Sequence, residues 1–388
     1  MLNSEPYKRY YGFARNIVYK RKITINKEAI MIVITNNIEK ECWNILELYE
    51  DYEYVVEKIK RNKPNIKATT VKKIAKEINF YFKQAEELYK ASNSSIITNP
   101  LTLFYALNNL VRGTYLIKNP TKGISASHGL QINNDPAKEQ KLSDIVVQIT
   151  KSGTFANLNE MLNNNIPVGV EIKLGDILSI IPELSSIYYL TYAEEPNVYL
   201  LSKNISKKEF KIILPNCTFS KLQQKNLDLL KQAKVHLTFG KNALGEAAII
   251  YPTMATENFE NIIEYDIYQN RYISLGINVD GNLIKMEQLN AIYILFYIYS
   301  MEVRYRSYEW LKIIESKEKA IIQKSISELK IKMLICIISL LDDMRYEFTN
   351  NNPDYKDDID YSKLTDNVLS ELKSRKIRTN KSPLRELL

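Results

Sequence analysis

The chain has 388 residues, 45% hydrophobic and 25% charged, which is ordinary for a globular protein with room for two or three domains. Its formal net charge of +8 permits an anionic partner without demanding one. Three scattered cysteines with no CxxC pair argue against a zinc or disulfide framework and fit a reducing, cytoplasmic setting. The N-terminus lacks the apolar stretch of a signal peptide, and the longest apolar run, "AIYILFYIYSM" at 291–301, falls short of the ~20 residues of a membrane span.

Residues 1–35 read as a basic, Tyr-rich N-terminal extension, ending in "ITINKEAIMIVIT", whose pattern suits strand or helix. From 36 to 125 the pattern is helical. "IEKECWNILELYEDYEYVVEKIK" sets Trp43, Leu46, Tyr49 and Val56 at helical spacing. A second helix carries Val71, Ile74, Ile78, Phe82 and Leu88, with Thr69 or Thr70 as its cap. Asn99-Pro100 opens a third, with Pro in the first turn, where no amide donor is missed.

Residues 126–284 form a mixed α/β region. "LSDIVVQIT" and "VGVEIKL" read as strands, "GTFANLNEMLNNN" as a short helix or loop, and "LGDILSIIPELSSIYYLTY" as helical up to Pro182. "NVYLLSK" and "EFKIILP" read as paired strands, and "SKLQQKNLDLLKQAK" as an amphipathic helix. "VHLTFGK", "EAAIIYP" and "YISLGINVDGNLIK" follow as strands, the last with an Asp280-Gly281 hairpin turn. Residues 285–348 return to helix, with "LNAIYILFYIYSMEVRYRSYEWLKII" apolar on nearly every face and "ELKIKMLICIISLLDDMRYEF" a second buried helix. Residues 349–388 are an acidic loop and a basic tail. The expected fold is α+β, a predominantly helical core of N- and C-terminal helices packed together, with an inserted mixed β-rich middle region.

No P-loop, GxGxxG, HExxH, EF-hand loop or GxSxG occurs, so no cofactor and no metal are expected. His236, one of two histidines, falls in a predicted strand and reads as structural. The other, His128, follows Arg112 across a Pro- and Gly-containing turn region, too far for an Arg/His ribonuclease pair on one helix. Arg112 instead closes a polar stripe of Tyr105, Asn108, Asn109 and Arg112 on an otherwise apolar helix. A buried guanidinium must be hydrogen-bonded, which points to a loop carbonyl or carboxylate near His128.

Two chemical alternatives stand beside that reading. Asp144 with Glu171-x-Lys173 could hold a divalent metal as in a nuclease, although two polar residues on a strand's solvent face explain the tripeptide equally well. Arg112, His128 and Arg304 could converge on a small anionic ligand. The carboxylate pairs Glu194-Glu195 and Asp342-Asp343 and the run Asp357, Asp358, Asp360 read as solvated faces or helix ends.

Three basic segments suggest nucleic acid. The first carries Lys8, Arg9, Arg15, Lys20, Arg21 and Lys22 among Tyr7, Tyr10, Tyr11 and Tyr19. The second, residues 58–76, holds Lys58, Lys60, Arg61 and Lys63 among eight basic residues and no acid. The third is the tail with Arg375, Lys376 and Arg378.

Several blocks in fixed order carry a family resemblance: Trp43-Asn44, "AEELYKASNSSIITNPLTLFYALNNLVRGTYLI", "SHGL", "LNEML", "LGDILSIIPELSSIYY" and "LFYIYSMEVRYRSYEWLKII". Over roughly 40–348 the chain resembles the bacterial YaaC-like family. The resemblance implies a mixed fold with a helical core and family-typical positions at Arg112, His128, Gly129, Arg304, Tyr305 and Trp310. It supplies no catalytic residues. It also implies a non-enzymatic subunit of a multi-protein anti-phage defence complex, binding DNA beside ATPase and nuclease subunits.

Overall fold

The computed structural model describes residues 20–25, 28–93, 95–133, 141–204, 209–213, 238–241, 247–252, 263–274, 276–279 and 282–349, with backbone only for 20–25, 28, 201–204, 209–213, 238–241, 247–252 and 282–283. The predicted helix "SKLQQKNLDLLKQAK", His236 and the basic tail lie outside the described residues.

Two antiparallel strands come first, β1 (Lys20–Ile25) and β2 (Glu28–Ile34), with Ile23 opposite Ile30. The ambiguous "ITINKEAIMIVIT" is thus strand over residues 23–25 and 28–34, as its β-branched residues favour. The next apolar run, read as one helix, is broken in two places. It forms α1 (Ile38–Leu46), a single 3-10 turn (Glu47–Glu50) and α2 (Tyr52–Asn62). The restart has a local cause: Asp51 is extended, and its carboxylate accepts the Tyr54 amide at 2.8 Å as an N-cap. Trp43, Leu46, Tyr49 and Val56 are all buried despite the breaks.

Helix α3 (Ala68–Ala91) buries Val71, Ile74, Ile78, Phe82 and Tyr89 in a helical stripe. Its N-cap is Lys67, with no side-chain cap, so Thr69 and Thr70 fall inside the first turn instead of capping it. Helix α4 (Asn99–Lys118) begins with Pro100 in its first turn, as its sequence predicts. It forms a hairpin with α3, made close by Gly113: a Cβ there would stand 2.6 Å from Cε2 of Phe82.

A small antiparallel sheet follows, β3 (Leu130–Ile132), β4 (Val146–Ile149) and β5 (Glu171–Lys173), with α5 (Thr154–Met161) between the last two strands. Then come α6 (Leu174–Ser179), a 3-10 turn at Pro182–Leu184, and α7 (Ser185–Tyr192). The helix ends before Pro182, as its sequence predicts, and a separate helical stretch begins there. Next are β6 (Val198–Asn204), β7 (Glu209–Ile213), β8 (Thr238–Lys241), β9 (Ala247–Pro252), β10 (Ile263–Tyr265) and β11 (Arg271–Ser274). They make an antiparallel sheet ordered β10-β11-β6-β7-β9-β8, and β6 and β7 pair as their sequences predict. The strands β12 (Ile277–Val279) and β13 (Asn282–Ile284) pair antiparallel with Val279 opposite Asn282; the predicted Asp280-Gly281 turn lies outside the described residues.

Three helices complete this part, α8 (Gln288–Tyr305), α9 (Ser307–Glu315) and α10 (Lys319–Asp342). Every residue of α8 from Gln288 to Ser300 is buried, and α8 packs on α4. Each fully buried Ile, Leu or Phe stabilises by about 1.5–3 kcal/mol, so α8 is the main apolar mass of the core. The helix expected to run to Phe348 stops earlier. Asp343 takes φ 51°, and residues 345–349 form a strand, β14 (Arg345–Thr349), with Tyr346 and Phe348 buried on one face. It pairs in parallel with β2, Tyr346 opposite Met31.

Residues 20–38 with 342–349 form one compact unit, and residues 39–341 form another. The fold class is α+β and predominantly helical, with small sheets. Among the described residues no helix is long and apolar enough to cross a membrane.

Candidate functional site

The polar stripe on α4 is spent on four different contacts. The Tyr105 hydroxyl accepts from Arg304 Nη1 at 2.7 Å, and Asn108 Oδ1 accepts from the Tyr293 hydroxyl at 2.8 Å, both from α8. Asn109 Nδ2 donates to Gln84 of α3 at 2.8 Å. Arg112 Nη2 donates to the Ser125 carbonyl at 3.1 Å, and its guanidinium lies 5.3 Å from the Tyr81 ring centroid.

The Ser125–Gly129 loop carries His128 onto this face. The Ser127 and His128 carbonyls accept the Thr154 and Phe155 amides, the first of α5, at 3.0 and 2.9 Å. Gly129 and Gly153 both have positive φ, 84° and 134°, and their backbones touch: a Cβ on Gly153 would overlap Gly129. The two chain segments can cross there because neither carries a side chain. The imidazole then sits among rings, 5.0 Å from Phe104, 5.8 Å from Tyr297 and 6.1 Å from Tyr105 between centroids. The loop is held from beneath by the Tyr297 hydroxyl, which donates to the Leu130 carbonyl at 2.9 Å, while the Tyr293 hydroxyl, committed to Asn108, lies 3.4 Å from the His128 carbonyl.

Burial lowers the His128 pKa, and the positive charges of Arg304 and then Arg112 lower it further. The imidazole is therefore neutral near pH 7, flanked by two guanidiniums. Among the described residues no carboxylate lies within salt-bridge distance of Arg112 or Arg304. Arg306 makes the contrast, since its Nη1 lies 3.3 Å from the buried carboxylate of Glu302. Among the described residues Arg304 donates to two tyrosines: Tyr105, and Tyr305, whose hydroxyl accepts from Nη2 and whose ring lies 4.6 Å from the guanidinium. Arg112 Nε and His128 Nδ1 are buried with no hydrogen-bond partner among the described residues. Such groups are expensive to bury unless something satisfies them.

The remaining sequence candidates lie elsewhere or have other work. Trp310 is buried against Tyr299, 5.5 Å between ring centroids. Glu171 and Lys173 flank buried Ile172 on the exposed face of β5, and Glu171 accepts from Asn133 Nδ2 at 2.8 Å. Asp144 is exposed at the end of a 3-10 turn. Among the described residues no group of three or more His, Cys, Asp or Glu could hold a metal. Of the basic residues, Lys60, Arg61 and Lys63 are exposed where α2 runs into the turn before α3, and Lys58 is half-buried over Tyr49. Side chains of Lys8, Arg9, Arg15, Lys20, Arg21, Lys22, Arg375, Lys376 and Arg378 lie outside the described residues.

A second charged cluster went unread in the sequence. Lys332 of α10 is buried, donates to the Tyr265 carbonyl and lies 3.6 Å from the fully buried Glu183. Burial works to lower the Lys332 pKa, but Glu183, Cys336, Glu264 and Asp266 outweigh it and raise it. Burial also pushes up the Glu183 and Glu264 carboxyls, the latter to about 8 with help from Glu287. The available signal was a lysine inside the apolar run "KIKMLICIISLL".

A sequence model of the family described as YaaC-like Protein matches residues 47–341. The chain belongs to the YaaC-like family. No curated protein and no solved structure matches it. In this YaaC-like chain, Arg112, His128 and Arg304 of the resemblance border one face of α4, Gly129 lies in the loop that carries His128, Tyr305 stands against Arg304, and Trp310 belongs to the core. Tyr81, Ser125, Tyr293 and Tyr297 complete that face. They come from other elements, and no local pattern marked them.

Proposed function

We propose that this YaaC-like protein is a binding protein for a small phosphate-type anion, held by Arg112, His128 and Arg304. One observation carries the reading: Arg112 bonds the loop that carries His128, and Arg304 bonds the Tyr105 that borders its ring, with no carboxylate among the described residues to balance the two guanidiniums. An anion there would accept charge-assisted hydrogen bonds from the exposed Arg304 guanidinium and be drawn by the positive charge of Arg112. The test is calorimetric titration with inorganic pyrophosphate at low salt. Binding is expected, and Arg304→Ala, an exposed change that spares the fold, should weaken it about tenfold or more. No heat and no thermal stabilisation up to millimolar pyrophosphate would remove the reading.

A second reading, contact with a nucleic-acid backbone, is favoured by the surface where α2 meets α3. Of the eight basic residues from Lys58 to Lys76, all but Lys58 are exposed, and no acid interrupts them. Lys72 and Lys73 follow an α3 first turn that has no acidic residue. Lys67, at the N-cap of α3, opposes the helix dipole by about 0.3–1 kcal/mol, so an anionic partner would relieve it. Binding to duplex DNA should fall steeply with salt, and Lys60→Glu with Lys63→Glu should flatten that slope. Salt-independent binding, or none, would sink it. The family resemblance extends this second reading to a non-enzymatic subunit of an anti-phage assembly with ATPase and nuclease partners. Co-purification with the products of neighbouring genes tests that extension.

A further inference from the structure

We infer that the anion is the phosphate portion of a nucleotide, whose base stacks on Tyr305; this rests on the anion-site reading above. The reason lies in what surrounds Arg304. Its guanidinium is the outermost cation of the cluster and sits on the Tyr305 ring at 4.6 Å. Tyr305 ends α8 and is 64% exposed, unusually open for an aromatic side chain at the end of a helix whose body is wholly buried. One face of the ring meets the guanidinium, and its exposure leaves the other for a second planar group.

Nor is Tyr305 alone. Tyr308, three residues on and across the break at Arg306, is 69% exposed, with the Lys312 ammonium 4.7 Å from its ring. Tyr105 is half-buried and hydrogen-bonded to the same guanidinium. Inorganic phosphate would use the cations and leave these rings idle. A nucleotide uses both, because a base has a π-face and a phosphate has the charge. The rings carry no hydrogen-bonding pattern that distinguishes bases, so the site should take purine and pyrimidine nucleotides with modest preference for the larger ring.

The experiment compares ATP with inorganic tripolyphosphate, which has the same phosphate chain and no base, on the full protein and on Tyr305→Ala and Tyr305→Phe. ATP should bind about tenfold more tightly than tripolyphosphate, within the roughly 5- to 100-fold range of a single base–aromatic stack. Tyr305→Ala should abolish the preference, so that ATP and tripolyphosphate bind that variant alike. Tyr305→Phe should retain the preference for ATP. Equal binding of both ligands, with Tyr305→Ala affecting neither, overturns the nucleotide assignment and leaves the anion site standing. Failure of both ligands to bind overturns the two together. Melting curves of the variants confirm that the fold is unchanged, as expected for so exposed a ring.

Discussion

Replacing Gly153 by alanine should be among the most damaging small changes in this protein, and two other glycines calibrate it. Gly153 has φ 134°, where an L-residue is strained by about 1–3 kcal/mol. Its new Cβ would also overlap Gly129 N and Cα and stand 2.8 Å from the His128 carbonyl carbon. These are backbone atoms in a pinned loop, so they cannot rotate away. A forced loop displacement adds about 1–3 kcal/mol, by comparison with overpacked cores. Gly169→Ala isolates the strain, since φ is 85° and nothing lies within 4 Å of its Cβ. Gly123→Ala has neither strain nor neighbours, and surface changes of that kind stay within about 0.5 kcal/mol. Denaturant melts should therefore rank Gly123→Ala, Gly169→Ala and Gly153→Ala as neutral, mild and severe, the last lowering stability by about 2–6 kcal/mol. Pyrophosphate binding should weaken in Gly153→Ala alone, because only that change moves His128. A Gly153→Ala variant within about 0.5 kcal/mol of Gly169→Ala would refute the crossing of these two backbones as the device that seats the histidine.

Two further predictions concern the buried charges. Lys332→Met should cost about 3–5 kcal/mol, because it strands the fully buried Glu183 carboxylate without its cation. Adding Glu183→Gln should recover part of that loss, and chemical denaturation showing the double variant no better than the single would remove the pairing argument. Glu264 should make stability depend on pH. Its folded pKa, about 8, lies above the ordinary 4.5, so the folded state keeps a proton that the unfolded chain has lost. Its contribution is full below about pH 4.5 and is lost as pH rises toward 8. His128, with a lowered pKa, acts oppositely, adding stability as pH rises toward 6.5. The difference between wild type and Glu264→Gln separates the two. Stability curves that run parallel from about pH 5 to 8 would discard the Glu264 assignment.

Fold class and most elements were legible because they rest on local physics. The stripe of Val71, Ile74, Ile78 and Phe82, the Pro-led start of α4 and the all-apolar α8 each announce themselves within one segment. The misread boundaries were contests that local pattern does not settle. Asp51 restarted a helix by capping. "RYEFT" joined a strand more than 300 residues away, although it adjoins a strongly helical run.

The sequence by itself determined a predominantly helical α+β chain, and the polar stripe from Tyr105 to Arg112 on an apolar helix. Only the tertiary structure decided what that stripe serves. Arg112, His128 and Arg304 lie on a helix, a glycine-hinged loop and a second helix nearly 200 residues apart. Charge convergence is a property of three-dimensional distance, which no spacing along the chain encodes. The opposite fates of Arg304 and Arg306 show the point: they are two residues apart, yet one is neutralised by Glu302 within its own helix turn and the other is left facing tyrosines.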